Sequence, residues 1–597
     1  MTNSKKSLNK IPPDTKFMSL ARIFVTVIML AVMGILTAQS LLGTTGIEII
    51  NKDAVVDNLL FRIREGWETI VYYSDDVFAN LFWLIVCVIA MFVLLPLMKK
   101  IPLAAEVAIV IAWTITFGSI WIFSVALSPT EDSFRVTDAA ICFSNGNYGP
   151  LAEEERYFRN YSYQLGYVLF NEIIINIAKL FGEIKNLIFL EIINVFLLAF
   201  SYAAIIIINS RIFRDSRVRH ITSLFLMFAA QPIIFSSFLY GIIPGFTFAV
   251  FALMFMILYL QKNKIIYGIL MVIFLAISVM IKTNNYIILA AIGCIVFVMM
   301  FKRKKFVIDT ILLAAAVAIS VSVNPAVKTY YEHRANVDLG ESVPFTSWFD
   351  MGIHEAMNAP GWYNPTFTLR TFEKSNYDAE IATEKSKESI RNQIQYFKDN
   401  PQYRKEFFYQ KFMSQWNETT YQSIWNNKIR QHYYPMSPAA EWVCGAGEKS
   451  VKQYMDYYAQ LIFAACMAGL IACLKNKNFL SVTFPVVILG GMLYHILAEA
   501  KSQYSLPYFI LMIGFAAYGI VSAYDYFKKR TGSSKFGNLI FNNDYLKKQL
   551  ADIMTSEETT QMMKTDTETP QNITIAEPVI LNEEVPDVIP PKISETE

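Results

Sequence analysis

Twelve apolar runs, most of them near twenty residues long, constrain this chain more than any other feature. They cover about 19–43, 79–98, 103–127, 186–209, 220–240, 243–261, 264–281, 284–301, 306–324, 456–474, 479–497 and 503–523. The hydrocarbon layer of a bilayer is crossed by about 20 helical residues, which is the length of these runs. Of 597 residues, 54% are apolar and only 17% are charged, and the apolar ones are bunched instead of spread over alternating faces. The sequence therefore predicts an α-helical polytopic membrane protein with about twelve transmembrane helices.

Charge placement sets the orientation. Lys5, Lys6, Lys10 and Lys16 precede the first run, and Lys99 and Lys100 follow the second. Arg211, Arg214, Arg217 and Arg219 come next, then Lys262 and Lys264, Lys302 to Lys305, Lys475 and Lys477, and Lys528 to Arg530. A twelve-span register puts all of them on one side, so both termini are expected in the cytoplasm. Residues 164–182 are almost long enough to span. They carry Glu172, Asn176 and Lys179, with Glu183 just beyond, opposite Val168, Leu169, Ile173 and Ile177, the pattern of an interfacial amphipathic helix.

The expected organisation is a cytoplasmic N-terminus (1–18), a transmembrane region (19–324), an extracytoplasmic domain (325–455), further spans (456–523) and a cytoplasmic tail (524–597). The 325–455 segment holds five of the nine tryptophans, Trp348, Trp362, Trp416, Trp425 and Trp442. They either anchor at the membrane interface or stack on sugars. Ile381, Ile390, Ile394 and Phe397 mark one helix that stops at Asn400-Pro401, and a second is expected over 402–413, so this is a small, mainly helical domain. From Ala551 onward there are eleven acids, two lysines and no aromatic residue, a composition too polar to fold.

A net charge of +2 with no long basic stretch gives no footprint for nucleic acid. The six cysteines are scattered, with Cys142 and Cys444 in expected external segments. No Cys/His spacing reads as a zinc site, and no Gly-rich phosphate loop is present. No cofactor is expected, although a pair of acids leaves a divalent ion conceivable.

Three polar stretches interrupt the apolar runs at their expected external ends. The first follows Leu127 and presents Glu131 and Asp132, then Gly146-Asn147-Tyr148 and Tyr163-Gln164-Leu165-Gly166. By itself the acid pair reads as a solvated helix start. A rival pair, Asp75 and Asp76, reads as the flank of the second span. The second stretch is Lys282-Thr-Asn-Asn285-Tyr286, whose lysine goes against the charge bias and either snorkels or has a task. The third, His495 to Tyr508, places Glu499, Lys501 and Tyr504 in a short turn; His495 reads as a satisfied membrane histidine.

Pro129-x-x-Asp132, Gly-Asn-Tyr and Tyr157-x-x-x-Tyr-x-Tyr-Gln-x-Gly-Tyr together resemble the first external loop of the GT-C superfamily of membrane glycosyltransferases, which includes the protein O-mannosyltransferase-like enzymes. Ser162 stands where many relatives carry proline. The Lys-x-Asn-Asn-Tyr step, FDMGIHEA (349–356), APGWYN (359–364) and the late Glu499-x-x-x-x-Tyr504-x-x-Pro507 signature are similar to GT-C-like proteins of Gram-positive bacteria. Gln503 holds a position where arginine is common, so Lys501 would supply that charge. The resemblance implies an inverting glycosyltransferase that takes a sugar from a polyprenyl-phosphate donor at the extracytoplasmic face of the cell membrane. Its acceptor would be a saccharide or a lipid. It further implies Asp132 as catalytic base with Glu131 as its understudy, and Lys282, Lys501 and Arg159 as partners of the donor phosphate. Tyr163, Gln164, Asn285, Glu499 and Tyr504 would support them. The rival expectation is a flippase or transporter of lipid-linked saccharides.

Overall fold

The computed structural model describes residues 14–49, 68–98, 100–152 and 156–531, with Gly537 and Phe541. The acidic tail, the basic residues before Asp14, and Lys99 lie outside the described residues. Among those described, ten helices are long and apolar enough to cross a membrane, as expected of a multi-pass membrane protein. They are Lys16–Leu42, Val77–Leu97, Leu103–Val125, Ile188–Ile212, Ile242–Lys262, Thr283–Arg303, Phe306–Ala335, Glu448–Lys475, Phe479–Leu497 and Leu506–Thr531.

The other two expected spans differ. The run at 264–281 forms Ile265–Ile281, a helix of 17 residues. The run at 220–240 is two helices, Ser216–Phe228 and Ala230–Phe235, separated by Ala229 at φ −75° and ψ 98°. Pro232 falls in the first turn of the second piece, where its missing N–H is no loss. Two expected boundaries also shift, because helical hydrogen bonding outlasts the apolar pattern. Phe306–Ala335 continues past 324 with Pro325 inside it, and Glu448–Lys475 begins before 456.

Burial sorts the bundle into centre and rim. The apolar windows of Ile242–Lys262 and Leu506–Thr531 are 78% buried, whereas that of Val77–Leu97 is 11% buried. Outward-facing Phe78, Phe123 and Val307 are therefore rim residues, as lipid contact allows. Two buried carboxylates, Glu106 and Asp309, are paired, since an isolated charge there is costly, whereas the carboxylate oxygens of buried Glu191 meet no partner among the described residues. Glu106 accepts from Arg219 and from Ser223 at 2.7 Å, with His220 at 3.1 Å. Asp309 holds Arg303 at 2.6 Å and the Tyr259 hydroxyl at 2.5 Å.

Leu165–Lys179 occupies the expected amphipathic segment. Its polar residues do not form one surface. Ile173 and Ile177 are exposed, while Glu172 turns inward and accepts from Tyr331 at 2.5 Å and Arg334 at 2.8 Å. An antiparallel hairpin, Gly43–Ile49 with Glu68–Ser74, links the first two membrane helices. Asp76 caps the second of them, accepting from the N–H groups of Phe78 and Ala79, so that acid has a structural task. The 336–447 segment is mainly helical, with Ala379–Asp399 and Pro401–Trp416 as its longest pieces. All six cysteines are free.

Candidate functional site

The chain leaves Leu103–Val125 through Ala126, whose left-handed backbone (φ 42°) ends the helix. Residues 126–128 then pair with 431–433: Tyr433 N–H donates to Ala126 O at 2.8 Å, and Ser128 N–H donates to Gln431 O at 2.9 Å. This fixes where the next helix, Glu131–Ser144, begins. Ser133 Oγ, fully buried, donates to Leu239 O at 2.7 Å and brings that helix start against Tyr240. Glu131, at φ 50°, is a non-glycine residue in a costly conformation right at the mouth of the site.

Asp132 sits in a relay. Gln164 Nε2 donates to Tyr240 Oη at 3.1 Å, and Tyr240 donates to Asp132 Oδ2 at 3.0 Å. The Lys282 ammonium lies 3.8 Å from the centre of the Tyr240 ring and 5.5 Å from that of Tyr504. One phenol thus touches both the acid and the lysine. Gly166 makes the arrangement possible: a Cβ there would stand 1.9 Å from Met280 O, so only glycine lets the Gln164 segment lie against the turn that carries Lys282. Burial pushes the Lys282 ammonium down to about 8, against the opposing pull of Glu499 and Asp132.

These groups open into a cavity of about 1700 Å³. Glu131, Asp132, Tyr163, Gln164, Lys282, Glu499, Lys501 and Tyr504 all line it, although they come from three stretches far apart in the sequence. Arg159 and Asn285 do not. Asn285 Nδ2 donates to Ser278 O at 3.2 Å and braces the Lys282 turn, while the Arg159 backbone carbonyl accepts from Ser342 at 3.0 Å. The lining charges are Arg135, Arg156, Lys282, Arg370, Arg430 and Lys501 against Glu131, Asp132 and Glu499, an excess of cations suited to an anion. Arg430 bonds Thr130 Oγ1 at 2.7 Å and Glu131 at 3.3 Å, so the 336–447 segment is tied directly to the start of the Glu131–Ser144 helix.

An apolar lane leaves the cavity between three membrane helices. Val25, Ile287, Ala291, Cys294, Val298 and Leu489 line it. Burial above all pushes the phenols of Tyr157, Tyr161 and Tyr163 up, with smaller contributions from Tyr363, Glu499 and Asp132, so they remain protonated. The tryptophans divide. Trp348, Trp362 and Trp425 line the cavity, Trp416 is packed in the core, and Trp442 is exposed. His495 also lines the cavity. Its Nδ1 bonds Glu499 O at 2.9 Å, while its Nε2 has no partner among the described residues.

The late turn is held by a buried lysine that sequence reasoning missed. Lys411 is fully buried and donates to Gly352 O and, at 2.7 Å, to Ala498 O. Burial pushes its amine down to about 7, with the Glu499 charge opposing. Ala500 N–H donates to Gly361 O at 2.8 Å. The FDMGIHEA and APGWYN segments therefore position the backbone on either side of Glu499. Among the described residues there is no group of three or more His, Cys, Asp or Glu side chains placed to hold a metal ion.

No protein-family model matches the chain, and no curated protein matches its sequence. Among solved structures, it is similar to the crystal structure of the Archaeoglobus fulgidus oligosaccharyltransferase in complex with zinc and sulfate. The match is 14% identical with a TM-score of 0.37, covering 78% of this chain and 56% of the other. The chain thus spans little more than half the length of that protein.

Proposed function

We propose that the protein is a GT-C-like glycosyltransferase that moves a sugar from a polyprenyl-phosphate donor to a saccharide or lipid acceptor at the extracytoplasmic face. The observation that carries this reading is a single cavity joining a carboxylate, two lysines and an apolar lane between membrane helices. A polyprenyl tail fits the lane, and its phosphate fits Lys282 and Lys501. Lysine meets phosphate as a point charge, without the bidentate fork of arginine.

In the proposed reaction the acceptor hydroxyl gives its proton to Asp132 while its oxygen forms a bond to the anomeric carbon. The bond from that carbon to the phosphate oxygen breaks, and the electron pair leaves with polyprenyl phosphate. One displacement inverts the anomeric centre. Charge grows on the departing phosphate, which Lys282 and Lys501 offset, and the carboxylates favour the oxocarbenium-like carbon. A positioned base contributes about 10² to 10⁴ in rate.

The test is product analysis after incubating purified protein with polyprenyl-phosphate sugars and candidate acceptors. Glycosylated acceptor with released polyprenyl phosphate is expected. Donor that crosses vesicle membranes intact, with no transfer, would replace this reading with that of a flippase.

A further inference from the structure

We infer that the acceptor is an anionic glycan, held by an arginine and aromatic wall opposite the apolar lane. This rests on the transfer reading above and adds the acceptor's chemical class. The cavity has two unlike sides. Lys282 and the lane come from membrane helices and the turn between them, whereas Arg156, Tyr161, Trp348, Tyr363 and Arg370 come from two polar segments. A donor with a lipid tail occupies the first side, which leaves the second for the acceptor.

That second side is built for rings and negative charge. Tyr161 and Tyr363 hydroxyls lie 3.3 Å apart, and the Tyr161 and Trp348 ring centres are 6.1 Å apart. Such faces pack against the C–H faces of sugars and leave phenolic donors at the edge. The Arg156 guanidinium stacks 4.1 Å from the centre of the Tyr377 ring, which fixes its plane at the cavity margin. Arg156 and Arg370 both line this side of the cavity. Phosphate or carboxylate groups on the glycan would meet these two cations with charge-assisted hydrogen bonds that a neutral acceptor does not offer. The wall also reaches the reacting end, because the Asp132 charge acts on Tyr161 and Tyr363.

The experiment compares a phosphodiester-linked polyol chain with a neutral oligosaccharide of similar length, using one polyprenyl-phosphate sugar donor. Donor consumption by the unaltered protein without acceptor is measured first; its absence, with no transfer to any acceptor, would overturn the transfer reading itself. With an active protein, kcat/KM is expected to favour the anionic acceptor by at least about tenfold, the minimum for one charge-assisted contact. Added salt should shrink this preference. Arg370→Gln and Arg156→Gln should each reduce the anionic-to-neutral ratio, mainly through acceptor KM, and Arg370→Lys should restore part of it. Equal use of both acceptors, or a ratio unmoved by both glutamine variants, would overturn the inference. So would faster transfer to a peptide hydroxyl than to either glycan.

Discussion

Gly361→Ala isolates how the 336–447 segment holds the late turn. Gly361 has φ +73°, and a Cβ there would stand 2.6 Å from Gly352 O and 2.6 Å from Lys411 Cε. The left-handed conformation costs an alanine about 1–2 kcal/mol. Overpacking adds about 1–3 kcal/mol, because one neighbour is backbone and the other is a buried side chain tied to two carbonyls. The sum is about 2–5 kcal/mol. Gly340→Ala is the control: its φ is +63°, but nothing lies within 4 Å of its Cβ, so it bears only the conformational part. Hydrogen exchange of peptides covering 498–504 reads the difference, since Ala500 N–H is bonded to Gly361 O. Two kcal/mol corresponds to a loss of protection of about 30-fold, and Gly340→Ala should leave those peptides as they were. Equal effects from the two variants, or none from Gly361→Ala, would refute the steric argument.

Three other outcomes are expected. As pH rises through about 8, kcat/KM for the donor should fall: the Lys282 pKa is depressed, so its cation is present below that value and lost above it. Lys282→Arg should move this limb upward in a pH–rate profile. Asp132→Asn should lower turnover by about 10² or more with donor binding nearly unchanged, whereas Asp76→Asn, which weakens only a helix cap, should remain active. A maleimide placed on Cys294, the exposed thiol of the apolar lane, should block donor use, and polyprenyl phosphate should slow the labelling.

The membrane helices were legible because a bilayer imposes a length, and ten of the twelve runs meet it. The break at Ala229 in the run at 220–240 leaves apolarity intact, and its one trace in the sequence is Pro232, in the first turn of the second piece. The hairpin was missed although Thr69, Ile70, Val71, Tyr72 and Tyr73 carry a strand's β-branched and aromatic signal. At the site, acids and lysines that interrupt apolar runs stand out in the sequence, and five of them line one cavity together with Tyr163, Gln164 and Tyr504, which the resemblance implies. Arg159 and Asn285 enter only through the resemblance to a sequence pattern, which does not decide where a side chain points, and neither lines the cavity. Lys411 was invisible for a different reason: within Lys405 to Phe412 it looks like a surface helix lysine, and only packing against Gly352 and Gly361 buries it. Tyr240 ends an apolar run, where an aromatic residue is expected as an interface anchor.

Tyr240 nevertheless joins the two halves of the proposed chemistry, and its two contacts can be separated. Its hydroxyl donates to Asp132 at 3.0 Å, and its ring lies 3.8 Å from the Lys282 ammonium. A carboxylate and an ammonium in direct contact in a poorly solvated cavity would largely neutralise each other. The intervening ring lets the carboxylate act on the acceptor while the ammonium acts on the phosphate. Tyr240→Phe keeps the ring and removes the hydroxyl. A hydrogen bond to a charged group contributes about 1.5–3 kcal/mol, so turnover should change by about 10-fold to 100-fold while donor KM stays the same. Tyr240→Leu removes the ring as well and forfeits a cation–π contact of about 0.5–2 kcal/mol, so donor KM should rise by about 2-fold to 30-fold besides. If Phe raises donor KM as much as Leu does, the ring is not what holds Lys282; if Phe leaves turnover unchanged, the hydroxyl plays no part in the proton transfer.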